Sequence, residues 1–228
     1  MFPKLFTVPA FDLLGRNFGP FSLHTYGVLL VSALLAALWL AGRLARKEGL
    51  DSQKVQDLGI ASIIAGLIGA KLLLVIVDFD QYSASPRALL DVLQSGGVFY
   101  GGLLGGLPVA WWYIKKHGLP LFNTLDILAP AVALGQAIGR LGCFAAGCCY
   151  GAPSTAPWSV IFHNQSAHAL VGVPLDTPLH PSQLYEAFGA LALMFILLAV
   201  LRNRRFHGQV VSMYLLIYAV LRFVLEFF

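Results

Sequence analysis

Residues 23–41 read LHTYGVLLVSALLAALWLA, a stretch without Asp, Glu, Lys or Arg. The hydrocarbon core of a bilayer is about 30 Å thick and is crossed by about 20 mostly apolar helical residues. Inside it every backbone N–H and C=O must be satisfied within the chain, and a helix does this segment by segment. The stretch therefore predicts a membrane-spanning helix. Five more stretches of the same character follow, over 58–77, 98–114, 125–144, 184–201 and 210–227. Glycines (Gly101, Gly102, Gly105, Gly106) and Pro108 interrupt the third, and Pro130 the fourth. Membrane helices tolerate both residue types, and glycine lets backbones approach closely. The expected fold class is all-α: a polytopic integral membrane helical bundle of about six transmembrane helices. We expect one membrane domain over 1–228, with an outer-face N-terminal segment over 1–22 and an extramembrane loop over 147–182 between helices four and five.

Composition agrees. Of 228 residues 58% are hydrophobic and 11% charged, with a mean hydropathy of +0.76. Soluble chains carry roughly a quarter charged residues, so a soluble domain is excluded, and so is disorder. The net charge of +4 does not indicate a nucleic-acid partner, because the basic residues fall in short clusters between apolar stretches and read as topology signals. The first apolar run follows twenty mixed residues and is succeeded by Gly42-Arg43 rather than a cleavage site, so it reads as a retained span and not a signal peptide. Three cysteines within 143–149 are too few and too local for a disulfide framework.

Lys and Arg set the orientation. The loops after spans one, three and five hold Arg43, Arg46, Lys47, Lys54, Lys115, Lys116, Arg202, Arg204 and Arg205. The other side holds Lys4, Arg16 and Arg87, and 147–182 has no Lys or Arg. Both termini, the 78–95 loop and the 147–182 segment are thus expected outside the cytoplasm, in a multi-pass membrane protein. Residues 1–20 read equally as an interfacial amphipathic element or a frayed tail. The proline-rich 147–182 segment reads as an ordered loop with a short strand at 158–162. No internal repeat is visible, which argues against a transporter of inverted halves.

Three basic residues, Lys71, Arg140 and Arg222, fall inside spans, with Glu186 and Glu226 as the nearby acids. An intramembrane charge costs a few kcal/mol unless paired or hydrated, and such residues commonly face a polar interior. One reading is buried ion pairs that fix helix packing, with Lys71 pairing Asp78 or snorkelling. The other is an anion site: two guanidiniums in one apolar cavity repel unless an anion lies between them, and a lipid phosphate is the anion a bilayer offers. Small residues surround Arg140 in the run GQAIGRLG over 135–142, compatible with a cavity or with close packing alone. His24, Tyr26, Tyr100, Tyr150, His180, Gln183 and Tyr185 sit at the predicted outer boundaries. Interfacial tyrosines need no further role, whereas His24 and His180 can exchange protons near neutral pH.

These residues form a pattern. His24-Thr25-Tyr26-Gly27 opens span one, Gly96-Gly97-Val98-Phe99-Tyr100-Gly101-Gly102 opens span three, and Gly139-Arg140-Leu141-Gly142-Cys143-Phe144 closes span four. His180-Pro181-Ser182-Gln183-Leu184-Tyr185-Glu186 leads into span five, and Arg222-Phe223-Val224-Leu225-Glu226-Phe227 lies in span six. Over nearly the whole chain this resembles the prolipoprotein diacylglyceryl transferases. The resemblance implies a transferase that moves diacylglyceryl from phosphatidylglycerol to the lipobox cysteine thiol of a preprolipoprotein, releasing glycerol phosphate, without metal or cofactor. It further implies catalytic roles for Arg140, Arg222, Tyr100, His180 and Tyr26. Substrate contacts are implied for His24, Gly101, Gly102, Gly139, Gly142, Gln183, Tyr185, Glu186 and Glu226.

The chain departs from the family pattern at several polar positions. Tyr100 stands where the family usually has histidine, Lys71 where arginine is usual, and Cys143, Ala146 and Cys148 where asparagine, asparagine and glutamate are usual. With Cys149, the two cysteines read as a redox or covalent group, or as small apolar filler; as zinc ligands they lack a fourth partner close by. Two alternatives stay open: a divergent phospholipid-using transferase with another acceptor, and a lipid-binding membrane protein without chemistry.

Overall fold

The computed structural model of the chain describes residues 4–8, 11–13, 16–18, 21–79, 82, 92 and 97–228. Among them are seven helices: α1 (Thr25–Lys47), α2 (Ser52–Val77), α3 (Phe99–Lys116), α4 (Leu121–Ala146), α5 (Gln165–Val171), α6 (Ser182–Arg202) and α7 (Gln209–Leu225). All except α5 coincide with the six apolar stretches, to within a few residues at each end. The all-α polytopic class is borne out. By length and composition α1, α2, α4 and α6 can each cross a membrane, while α7 is apolar but 17 residues long, and α3 has 18. Ile64, Leu67, Ile68, Leu72 and Ile76 of α2 are all more than half exposed. An apolar stripe of that size belongs against lipid rather than water.

The described chain falls into two compact units, Leu38–Thr124 and Met1–Ala37 with Leu125–Phe228. In the first, Asp51 caps α2 by accepting from the backbone N–H groups of Gln53 (2.9 Å) and Lys54 (3.3 Å). Helices α2 and α3 then meet backbone to backbone. A Cβ placed on Gly69 would run into the Gly101 carbonyl, one on Gly105 into the Ala65 carbonyl, and one on Gly66 would lie 3.3 Å from the Gly102 carbonyl. This is the small-residue packing that replaces the hydrophobic effect between helices in lipid. The Lys71 ammonium donates to the Val92 carbonyl at 2.6 Å, so the partner found is a backbone oxygen. The expected 78–95 loop with Arg87 otherwise lies outside the described residues, apart from Asp78, Phe79 and Tyr82.

In the other unit α4, α6 and α7 carry the site. Asp126 of α4 is fully buried and caps α7. It accepts from the backbone N–H groups of Gly208 (2.7 Å) and Val211 (2.9 Å), with Arg204 at 3.5 Å. An acid there complements the positive end of the helix dipole. The segment between α4 and α6 is ordered, as expected, and holds a strand within 158–162. That strand is β5 (Val160–Ile161), antiparallel to β6 (Pro178–Leu179). It also holds α5, which the proline content had hidden. Asn164 caps α5 through Ala167 N–H at 3.0 Å, and Gly172, at φ +70°, ends it. Phe162, Ala167, Val173 and Leu179 form a small buried core there.

The N-terminal segment is corrected. Its described residues are paired strands rather than a frayed tail: β1 (Lys4–Val8) pairs antiparallel with β4 (Phe21–His24), and β2 (Phe11–Leu13) with β3 (Arg16–Phe18). Pro3, Pro9, Gly15, Gly19 and Pro20 oppose a helix, and the intervening Phe, Thr and Val residues favour extended backbone.

Gly69→Leu is expected to destabilise the protein by about 1–3 kcal/mol through overpacking. Gly27→Ala, whose Cβ meets nothing within 4 Å, is expected to leave stability near that of the parent. Thermal unfolding in detergent checks both.

Candidate active site

Glu186 lies one turn into α6 with its side chain 3% exposed. A buried carboxylate is costly unless charged and hydrogen-bonding partners compensate it. Here Oε1 accepts from Arg140 Nε of α4 at 3.0 Å and from the Tyr218 hydroxyl of α7 at 2.9 Å. Oε2 accepts from Arg222 Nη1 of α7 at 2.8 Å. Arg222 also approaches Glu226, one turn on, at 3.9 Å. The sequence reading required an anion between the two arginines, and the chain supplies one itself. Relief of their repulsion does not depend on a lipid phosphate. Two guanidiniums share one buried carboxylate, which leaves positive charge facing open space.

That space is a cavity of about 470 Å³ whose lining includes Arg140, Arg222, Glu186, Cys149, Ser182 and Phe228. Its size is that of a small-molecule site. Arg222 is 43% exposed and Arg140 26%, so both reach the cavity while holding Glu186. The cavity wall is tied to the start of α6. The Ser182 hydroxyl donates to the Cys149 carbonyl (2.9 Å), the buried Gln183 amide to the Cys148 carbonyl (2.8 Å), and Gly151 N–H to the His180 carbonyl (3.0 Å). His180 Nδ1 lies 3.1 Å from the Tyr185 hydroxyl, which also accepts from Trp158 Nε1 at 2.7 Å. The His180 ring meets Phe228 edge-on at 5.4 Å.

The structure thus brings together Arg140, Arg222, Glu186, Glu226 and Cys149, with His180, Gln183 and Tyr185 behind the wall. Gly142 gives α1 its close approach, since a Cβ there would lie 3.4 Å from both Leu29 and Tyr26 side-chain atoms. A Cβ on Gly139 would meet nothing within 4 Å. His24 ends β4 and is exposed. Tyr100, Gly101 and Gly102 belong to the other unit. There Tyr100 is 71% exposed, and Gly101 is buried against the α2 backbone. Tyr218 was missed by the sequence reading, although its signal was available: it precedes Arg222 by four residues and so shares its face of α7.

The three cysteines converge. Their Sγ atoms all lie within 4.8 Å of one another, and none is in a disulfide. The helix end explains why. Gly147, at φ +84°, turns the chain, and the N–H groups of Gly147 and Cys148 both return to the Cys143 carbonyl, at 2.9 and 3.2 Å. Past the helix end, the neighbouring Cys143 and Cys148 sulfurs, with Arg140, hold the Cys149 thiol below its ordinary range. The Cys148 thiol, which donates to the Cys143 carbonyl at 3.7 Å, is pushed up by the two neighbouring cysteines and by burial.

A guanidinium pair on a shared buried carboxylate, beside a cavity in an apolar helical bundle, defines an anion-handling membrane protein. Comparison with known proteins narrows this. The family model described as prolipoprotein diacylglyceryl transferase matches residues 15–228. A phosphatidylglycerol–prolipoprotein diacylglyceryl transferase of Clostridium tetani is 36% identical over 217 residues, covering 95% of this chain and 83% of that protein. Proteins of the same name from Vibrio campbellii and Pseudomonas aeruginosa are 37% and 34% identical over 223 and 229 residues. They align with 96% and 98% of this chain and with 78% and 82% of their own lengths. The chain belongs to the prolipoprotein diacylglyceryl transferase family, a family of transferase enzymes.

Glu186→Gln removes the charge that both arginines share. A loss of about 3 kcal/mol is expected, at the low end for a broken buried pair because Arg222 is partly open. Glu186→Gln combined with Arg222→Gln is expected to lose less than the sum of the single changes. Thermal unfolding of the three variants in detergent is the measurement.

Proposed function

We propose that the chain transfers the diacylglyceryl group of phosphatidylglycerol to the thiol of a lipobox cysteine in a preprolipoprotein, releasing glycerol phosphate. The observation that carries this reading is the Arg140–Glu186–Arg222 bridge opening on one cavity. A phosphodiester headgroup has a single negative charge, and the two guanidiniums share a single buried carboxylate, with Glu226 approaching Arg222 only from the exposed rim at 3.9 Å. The bridge aims both arginines from opposite helices at the same volume, and Arg presents a planar fork suited to phosphate oxygens.

In the reaction the acceptor sulfur forms a bond to the terminal glycerol carbon of the diacylglyceryl group. The bond from that carbon to the phosphate-ester oxygen breaks, its electron pair staying on the oxygen. Negative charge therefore grows on the leaving glycerol phosphate, where Arg140 and Arg222 stabilise it more in the transition state than in the ground state. Glu186 and Tyr218 hold the two guanidiniums ready, so little reorganisation is needed. The thiol proton must leave first, since a free thiol with a pKa of about 8.5 is mostly protonated at neutral pH. His180 is the proposed acceptor, its ring packed on the cavity-lining Phe228 and its Nδ1 3.1 Å from the Tyr185 hydroxyl. Gln183, Tyr185 and Ser182 order the wall against which the substrate rests.

The site lies at the end of α4 that continues into the segment without Lys or Arg. The positive-inside reading sets that segment, and both termini, outside the cytoplasm in the bacterial inner membrane, where translocated preprolipoproteins and phospholipid are both at hand.

The test is transfer of radiolabelled diacylglyceryl from phosphatidylglycerol vesicles to a lipobox peptide, with complementation of a transferase-depleted strain. Parent protein is expected to be active. Arg140→Ala and Arg222→Ala are each expected to reduce turnover by roughly 10²–10³-fold. No transfer by well-inserted parent protein would overturn the proposal.

A further inference from the structure

Cys143 and Cys148 occupy positions where the family resemblance expects asparagine and glutamate, Cys149 follows directly, and the transfer reaction described above gives none of the three a role. Three sulfurs within 4.8 Å of one another exceed what a disulfide uses. They do match what a thiophilic metal ion needs. Thiolates at about 2.3 Å from a tetrahedral zinc lie about 3.8 Å apart, so closing on an ion takes sulfur movements of only about half an ångström. The scaffold for them is already ordered. The Cys143 carbonyl is bonded by Gly147 and Cys148 N–H, the Cys148 carbonyl by Gln183, and the Cys149 carbonyl by Ser182. Cys149 also lines the same cavity as Arg140 and Arg222.

We infer that these three cysteines form a zinc site whose fourth position faces the cavity and takes an incoming thiol. Three protein ligands with one open position are the pattern of a reactive zinc centre, whereas four would close it. The missing fourth donor, which made the trio unconvincing in the sequence, is then supplied by the substrate. Three thiolates and Zn²⁺ carry one net negative charge, compatible with the adjacent guanidiniums. A thiol that coordinates zinc binds as thiolate, its proton passing to His180, the acceptor proposed above. Its sulfur is thereby held in the cavity as the nucleophile. The metal site stands on geometry alone; the identity of the thiol as a lipobox cysteine rests on the proposed transferase function.

The full chain, purified in detergent with a non-chelating reductant, is expected to retain about one zinc per chain by elemental mass spectrometry. Co²⁺ exchanged into the site is expected to show thiolate-to-cobalt charge-transfer absorption. That absorption should rise by roughly a third when N-acetylcysteine amide is added, as three thiolate ligands become four. Cys148→Ser and Cys149→Ser are each expected to lose the metal. The parent spectrum decides the matter even where a serine variant fails to fold. Absence of zinc and cobalt binding overturns the site, as does a 2 Da mass loss marking a disulfide, or retention of copper(I) alone. An unchanged cobalt spectrum with added thiol overturns the open fourth position. Metal binding without diacylglyceryl transfer sinks the transferase reading and leaves the site, whereas transfer by metal-free protein overturns the zinc as holder of the substrate thiol and leaves the transferase.

Discussion

One carboxylate organises the part of this protein that carries the cavity. Glu186 accepts from Arg140, Arg222 and Tyr218, so α4, α6 and α7 are joined at a single buried charge. In lipid there is no hydrophobic force between helices, and polar contacts and close packing decide which surfaces meet. The same contact serves chemistry. Two guanidiniums that would repel one another are kept parallel in purpose by a carboxylate that neutralises only half of their charge. A second buried acid would satisfy both and remove the attraction for an anion. Glu226 does not do so, because its side chain is 80% exposed and 3.9 Å away from Arg222.

The spans were legible because the bilayer imposes a length and a composition on every crossing segment. Arg140, Arg222 and Glu186 stood out for the complementary reason: charge inside such a segment is expensive and therefore conspicuous. Their partnership was only half legible. The sequence named the two cations and the acid but did not say that one carboxylate spans both, because that depends on how three helices are rotated. Tyr218, on the same face as Arg222, carries no charge and so did not stand out within its apolar stretch.

What escaped the sequence lies outside the apolar stretches, where no comparable constraint acts. The strands between Lys4 and His24 and the seven-residue α5 are short, and local turn residues compete with tertiary contacts to decide them. The cysteine cluster escaped for a geometric reason. Cys143 and Cys148 are five residues apart, a spacing that a continued helix would place on different faces. The turn at Gly147 reverses the chain and superposes them. The glycines of α3 had been open to a cavity or to close packing, and the structure shows Gly101 and Gly105 against the α2 backbone; the resemblance also offered Gly101 and Gly102 as substrate contacts.

Asp126 has a mechanical consequence. It clamps the first turn of α7 to α4 through the Gly208 and Val211 N–H groups, far along the helix from Arg222. Its other end is held by Glu186 through Arg222 and Tyr218, and just beyond it Phe228 packs on His180 and Tyr185. The 17-residue helix is thus moored at both ends, so the chamber wall that it forms is fixed from two sides.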